Sequence, residues 1–317
     1  ITVRLVGSEM CIRDRGNTFI ENLPSKLNEI QKIKITGRDL DMELINKNNS
    51  FIETSGYPFK ANVWESFITS LSLLRIEEKK TNNPERHNEL NLVAIDKFKE
   101  NNDDNEPATK ITFFTKDQKI FKSILLGKID NTVGGISGGQ FARYNKDNQA
   151  YLLKGALRMP SGKSDWFNSL LLKLDQEKLS SISVKRKKII FEIESKDKKL
   201  LLKNNPDLKI DEEKLKQVAE VIDAFYFYDV RKVNKIKKNN NNIISYEFKD
   251  GLILELKFIE KSKDSKESWI EISAQSNNPK TKNEAQDLNK KTNGYQFLAN
   301  INTSVIFNWN IKDLIKK

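Results

Sequence analysis

Two glycine-rich stretches are the places where this chain could carry out chemistry on a substrate. The segment GGISGG, residues 134–139, fits the G-x-S-x-G pattern, with Ser137 as the nucleophile. That pattern needs a helix after the serine, whereas QFARY follows and is typical of a strand. The single histidine, His87, lies upstream of Ser137, which reverses the α/β-hydrolase order. A hydrolase using Ser137 is therefore a weak alternative, and a loop between strands is expected.

The other candidate motifs lack the spacing or the ligands that their chemistry needs. In GALRMPSGKS, six residues separate Gly155 from Gly162, where a phosphate-binding loop has four. One histidine and Cys11 are too few for a zinc site, and NNDDNE lacks the glycine and the distant glutamate of a calcium loop. We therefore expect no metal, no cofactor and no enzymatic activity, with His87 as an exposed loop residue.

The formal charge of +11 raises the question of nucleic-acid binding. The lysines occur together with Asn and Ile, as in KKNNNNII, and alternate with acids in KFIEKSKDSKESW. Nucleic-acid surfaces usually combine arginine and aromatic residues, and arginine is scarce here. A cytoplasmic nucleic-acid-binding protein is therefore the second weak alternative, and we expect no nucleic-acid partner.

An internal repeat organises the chain. NEIQKIKITGRDLDMELI aligns with EKLSSISVKRKKIIFEIE, and each copy alternates apolar and polar residues as a two-stranded hairpin does. Each hairpin is followed by a helical pattern, NVWESFITSLSLLRIEE in the first copy and DEEKLKQVAEVIDAFYFYD in the second, where Asp211 is the expected N-cap. A second hairpin closes each copy, with turns at Lys116-Asp117 and Lys249-Asp250.

These patterns predict an α+β protein of tandem duplicated modules, each with antiparallel strands and one main helix packed on the sheet. The first module is expected over residues 16–160 and the second over 161–317. The second should begin with a leading helix over Ser164–Asp175. The segments NNDDNEPAT and QSNNPKTKNEAQDLNKKTNG are predicted to be polar loops.

The order of several short motifs resembles the bacterial domain-of-unknown-function family 4340. They are a Gly-Tyr-Pro before the first helix, a K-T-x-N-P segment after it, an LGK strand end, a Y/F-x-R-Y strand and an Asp-Trp pair. The similarity runs from about Leu23 to Val184. It implies an extracytoplasmic domain behind an N-terminal hydrophobic anchor, often encoded beside ABC-type transporter components, and it supplies no catalytic residue.

The leading hypothesis is therefore a non-catalytic binding or scaffolding domain. It would be accessory to an ABC-type transporter at the periplasmic face of the bacterial inner membrane, with a transporter component as its protein partner. The candidate partner surface comprises Phe141, Arg143 and Tyr144, with Tyr226 and Tyr228 of FYFYD, because consecutive aromatic side chains cannot all point inward.

The first residues have a different character. RLVGSEMCIRDR, residues 4–15, reads as a sequencing adapter translated in frame, so residues 1–15 are interpreted as an adapter-derived leader without specific packing. On this interpretation the only cysteine, Cys11, says nothing about the redox compartment, and the membrane anchor implied by the family would lie upstream.

Overall fold

A computed structural model describes residues 17–48, 50–99, 105–133, 138–160, 162–197, 199–203, 208–233, 242–263 and 266–316. The chain divides into two compact units. The first comprises residues 1–54 and 58–166, and the second comprises residues 55–57 and 167–317. Each unit contains an eight-stranded antiparallel sheet together with helices, so the fold class is α+β as predicted. Residues 1–15 and Ser137 lie outside the described residues.

The first unit orders its strands β3-β2-β1-β5-β6-β7-β8-β4. Its elements are α1 Leu23–Lys26, β1 Ile30–Thr36, β2 Asp41–Lys47, β3 Ser50–Glu53, α2 Ala61–Leu73, β4 Arg75–Lys79, β5 Thr109–Thr115, β6 Ile120–Asp130, β7 Gly139–Tyr144 and β8 Ala150–Lys154. Two 3-10 helices span Pro84–Leu90 and Lys163–Trp166.

The predicted hairpin of the first unit is confirmed in its register. Ile33 pairs with Leu44 on one side and with Phe113 on the other, and all three side chains are fully buried. Phe67 and Leu71 of α2 join the same core. The helix ends at Leu73, earlier than its sequence pattern suggests, because Arg75–Lys79 pairs with β8 as a strand.

The second unit orders its strands β12-β11-β10-β15-β16-β17-β18-β14. Its elements are β9 Leu170–Leu172, β10 Leu179–Lys185, β11 Ile189–Lys196, β12 Lys199–Leu202, α3 Glu212–Glu220, β13 Phe225–Tyr226, β14 Val230–Lys232, β15 Ile243–Phe248, β16 Leu252–Lys261, β17 Ser268–Ser276, α4 Lys282–Thr292, β18 Tyr295–Ala299 and α5 Ile301–Ile306. β9 and β13 form a separate two-stranded sheet, and two 3-10 helices span Gln176–Lys178 and Ile311–Leu314.

The second predicted hairpin is also confirmed. The predicted helix is confirmed in its first part only, because α3 ends at Glu220 and Phe225–Tyr226 pairs with β9 as a strand. Ile182 pairs with Ile193 and with Tyr246, and all three are buried. The Asp211 side chain caps α3 by accepting a hydrogen bond from the Glu213 amide at 3.1 Å. The Tyr246 hydroxyl donates to the Val218 carbonyl at 2.8 Å, which fixes α3 on the sheet.

Two expectations for the second unit are wrong. The leading helix over Ser164–Asp175 is absent, because Leu170–Leu172 pairs as β9 with β13 and tertiary pairing overrides the local pattern. The predicted polar loop contains α4, which buries Ala285, Leu288 and Thr292 on one face. This short apolar stripe is easily missed in so polar a segment. The helix is docked on β17 by Asn289, whose side chain bonds both backbone groups of Ala274.

The two predicted turns can be tested against each other, because both contain a residue with left-handed φ. Gln118 has φ +59° and Gly251 has φ +89°. A Cβ at Gly251 would meet the Asn278 Cβ at 2.9 Å and the Asn278 amide nitrogen at 3.3 Å. We expect Gly251→Ala to lower the free energy of unfolding by about 2 kcal/mol, from backbone strain and overpacking. Gln118 already carries a Cβ, so Gln118→Ala should change stability by less than about 0.5 kcal/mol. Urea unfolding measures both, and equal effects would contradict the prediction.

Candidate functional site

The predicted surface on β7 is mostly enclosed by the first unit itself. Phe141 is 8% exposed and packs in a small core cluster with Leu125 and Leu152. The Tyr144 ring stacks on Phe19 at 4.7 Å between centroids, and its hydroxyl donates to the Phe19 carbonyl at 2.7 Å. These contacts leave little of either aromatic side chain for a partner, so we place the proposed partner surface elsewhere.

Arg143, between those two aromatic residues, organises the adjoining loops. Its Nε donates to the Leu92 carbonyl at 3.0 Å, and its Nη1 donates to the Asp147 and Asn145 carbonyls at 3.0 and 3.2 Å. Burial lowers the pKa of the guanidinium, and the Asp147 carboxylate opposes that change. With a further bond from Nη1 to the Tyr144 carbonyl at 3.4 Å, the side chain is held by backbone oxygens of four residues, and the arrangement is structural.

His87 lies beside this cluster, and the expectation of an exposed loop histidine is wrong. The residue is only 3% exposed, within the 3-10 helix Pro84–Leu90. Its Nε2 lies 2.9 Å from the Asn148 carbonyl oxygen. That contact engages one ring nitrogen of the histidine in a structural hydrogen bond.

A close approach between two backbone segments explains why Gly127 of the LGK strand end is a glycine. A Cβ at Gly127 would lie 2.1 Å from the Leu90 carbonyl oxygen and 3.0 Å from that of Asn91. The pairing of β6 with β7 shifts register between Leu126 and Ile129. Such an irregularity bends a strand and re-aims its side chains. The segment therefore brings the 3-10 helix Pro84–Leu90 and the sheet together where a side chain would not fit.

A cavity of about 600 Å³ opens beside this bend in the first unit. Gln140 forms part of its wall, donating from Nε2 to the Gly127 carbonyl at 3.1 Å and accepting from the Leu157 amide at 2.9 Å. Its charged lining is mixed and consists of Arg38, Asp39, Glu106, Lys128 and Arg158. The size suits a small ligand, but no single charge dominates the lining.

FYFYD does not continue the helix predicted for it, because Phe225–Tyr226 is strand β13. Phe225 and Phe227 are buried, while Tyr226 and Tyr228 are each 49% exposed. Tyr226 pairs across β9 with Leu170, which is itself 37% exposed. The two tyrosines are the most exposed members of the predicted surface, and the second unit presents them beside an apolar neighbour.

Two further buried features were not predicted from the sequence. Glu53, which is 1% exposed, pairs with Lys163 at 3.2 Å in the first unit. In the second unit the Tyr57 ring makes edge contacts with four aromatic residues, at 5.1–5.8 Å between centroids: Phe167, Phe227, Tyr295 and Phe297. Burial, and secondarily Tyr295, raises the pKa of Tyr57 to about 12. The Gly-Tyr-Pro motif signalled Tyr57, but no pattern indicated its neighbours.

Residues 50–242 match the family described as Domain of unknown function (DUF4340), which is more than half of the 317-residue chain. The chain belongs to the DUF4340 family. The resemblance inferred from the order of its motifs is thereby confirmed. No curated protein and no solved structure matches this DUF4340 chain.

The described residues of this DUF4340 chain contain neither a cluster of metal ligands nor a membrane-spanning helix. Across the ranges that the structure describes, no group of three or more His, Cys, Asp and Glu side chains is placed to hold a metal ion. Within the same ranges, no helix has the length and apolar character needed to cross a bilayer.

Gly127→Ala tests the close approach of the two backbone segments. The new Cβ would collide with a carbonyl oxygen that cannot move without displacing the Pro84–Leu90 helix, so we expect a loss of about 3 kcal/mol or more in the free energy of unfolding. Gly162→Ala is the matched control, because its Cβ would meet nothing closer than 3.7 Å. Denaturant unfolding of both variants is the measurement, and a loss below about 1 kcal/mol at Gly127 would refute the steric account.

The stability of the protein should also depend on pH through His87. Burial, and secondarily the charge of Arg143, lowers its pKa, while the hydrogen bond to Asn148 opposes that shift. The folded state therefore binds the proton less readily than the unfolded chain. Its contribution is fully present above about pH 6.5 and is lost as the pH falls through the lowered pKa.

We expect the free energy of unfolding to fall between about pH 7.5 and pH 5.5. His87→Gln should remove this part of the dependence, because the chain has no other histidine. Urea unfolding at the two pH values measures this difference. The same change in the free energy of unfolding for both proteins would contradict the assignment.

Proposed function

We propose that this DUF4340 protein is a non-catalytic binding or scaffolding domain at the periplasmic face of a bacterial inner membrane. Its partner would be a component of an ABC-type transporter, as the family resemblance implies. The observation that carries the proposal is the extended segment Phe225–Tyr228, which buries its phenylalanines and exposes Tyr226 and Tyr228. Tyrosine is enriched at protein interfaces because it buries a large ring and keeps a polar hydroxyl.

The use of the buried polar groups supports a non-catalytic role. His87, Arg143 and the Glu53–Lys163 pair all bond to groups of the fold. A catalytic acid, base or nucleophile needs a site that a substrate can reach. The described part of the chain uses these groups to fix its loops and strands.

We further propose that the two units are a tandem duplication. Strands at corresponding positions along the chain occupy the same places in the two sheets. The first hairpin of each unit also pairs its buried residues in the same way. The β1–β5 pairing shifts register after Ile30, and the β10–β15 pairing shifts after Leu179. Left-handed residues also occupy matching turns, Asn48 with Asp197 and Gln118 with Gly251.

Site-specific cross-linking tests the proposed partner. A photoreactive phenylalanine analogue replaces Tyr226 or Tyr228 in bacterial cells that also express the components of an ABC-type transporter. We expect covalent adducts with a transporter subunit from both positions. Ile120, which is 54% exposed in the first unit, is the control position and should give none.

A second variant separates binding from folding. Tyr226→Ser combined with Tyr228→Ser should lower co-purification with the transporter at least tenfold, as loss of interface aromatic residues does. Thermal unfolding should change little, because both side chains are half exposed. Adducts from Ile120 alone, or unchanged co-purification of the double variant, would refute the proposed surface.

A further inference from the structure

One end of the second unit's sheet gathers several strand ends. Lys185, at the end of β10, pairs with Ile243, which pairs in turn with Lys257 of β16. At the same end, Lys261 pairs with Ser268 and Ser268 with Ala299, so β16 finishes where β17 begins and β18 finishes. We call this region the lysine end and define it as residues 185–189, 257–263, 266–268 and 299–309.

Helix α5 crosses the lysine end. It begins directly after β18, where the Asn300 side chain accepts a hydrogen bond from the Thr303 amide at 2.8 Å. Beyond its last turn, the Asn242 side chain donates to the Phe307 carbonyl at 3.0 Å, and Arg186 donates to the Trp309 carbonyl. Since Asn242 precedes β15 and Arg186 follows β10, the segment runs from β18 across the strand ends towards β10.

Helix α5 carries two apolar side chains on its exposed face. Thr303, Ser304 and Ile306 are buried, whereas Ile301 is 46% exposed and Val305 is 38% exposed. The two exposed residues are four apart and so lie on the same outward stripe. Surface helices normally turn such residues towards the core. Ile189, at the tip of the β10–β11 hairpin, adds a third apolar side chain that is 53% exposed.

Exposed lysines occupy the same end of the sheet. Lys187 and Lys188 are exposed at the hairpin tip, as are Lys261 at the end of β16 and Lys263 and Lys266 between β16 and β17. Among the described residues of the lysine end, the acids are Glu260, which pairs with Arg231 at 2.8 Å, and the partly buried Glu267. The lysine end is therefore positively charged around an apolar centre.

We propose that the lysine end docks on the surface of an anionic lipid bilayer. Ile301, Val305 and Ile189 enter the boundary between headgroups and acyl chains, and the surrounding lysines contact anionic headgroups. Apolar side chains bordered by lysines have this behaviour at membrane interfaces. A nucleic acid would attract the lysines but would gain nothing from exposed isoleucine and valine. The proposal goes beyond partner binding through Tyr226 and Tyr228 and does not depend on it.

Vesicle flotation of the full 317-residue chain tests the proposal. Vesicles of phosphatidylcholine alone are compared with vesicles that contain about 30% phosphatidylglycerol, at about 0.1 M and 0.5 M salt. We expect binding to the anionic vesicles at low salt, weak binding at high salt and none to phosphatidylcholine alone.

Two double variants test the contributions of the lysines and of the apolar side chains to vesicle binding separately. Lys187→Gln with Lys188→Gln should lower partitioning roughly 25-fold, about fivefold for each lysine. Ile301→Ser with Val305→Ser should lower it at least tenfold at unchanged charge. Leu73→Ser with Ile120→Ser is the matched control, since it removes two apolar side chains of the first unit that are more exposed than Ile301 and Val305, and it should bind as the parent does. Thermal unfolding confirms that each variant is folded.

Three results would overturn the proposal. They are no binding to anionic vesicles at low salt, equal binding to phosphatidylcholine, and equal losses in the control variant and in the Ile301/Val305 variant. Absence of vesicle binding together with transporter cross-links from Ile301 would assign the lysine end to a protein partner. The cross-links from Tyr226 and Tyr228 are measured separately, so failure of lipid docking leaves the proposed function standing.

Discussion

The register of the first hairpin in each unit is the constraint on which the rest of the fold depends. Ile33 aligns with Leu44 and Phe113, and Ile182 aligns with Ile193 and Tyr246. Successive side chains of a strand point to opposite faces, so a slip of one residue would turn each buried row towards solvent. Once these rows are fixed, the helices that follow have one apolar surface on which to pack.

Polar side chains that are capable of chemistry also stabilise this architecture. Arg143 gathers the carbonyls of loops on either side of β7, His87 fixes the Pro84–Leu90 helix, and Tyr246 holds α3. Each satisfies backbone oxygens that would otherwise cost free energy in the interior. Residues that sequence patterns mark as candidate chemistry are thus used here as structural connections, and this is why the proposed function is one of binding.

The second unit has two exposed surfaces of different chemical character. Tyr226 and Tyr228 form an aromatic pair that suits a protein surface, whereas Ile301 and Val305, bordered by lysines, suit a lipid surface. We interpret the two surfaces as separate functions of one unit. A scaffolding domain at a membrane would need both a partner contact and a means of orientation on the bilayer.

The sequence by itself determined the α+β class, the hairpins and the presence of both main helices. Local periodicity is sufficient for these, because a strand repeats every two residues and a helix about every 3.6. Only the tertiary structure decided that Leu170–Leu172 is a strand, that Lys282–Thr292 is a helix and that His87 is buried. Each of these depends on a partner outside its own segment: β13, β17 and the Asn148 carbonyl. The lysine end likewise exists only because the pairing of five strands brings separate segments to one end of the sheet. No local sequence pattern predicts that arrangement.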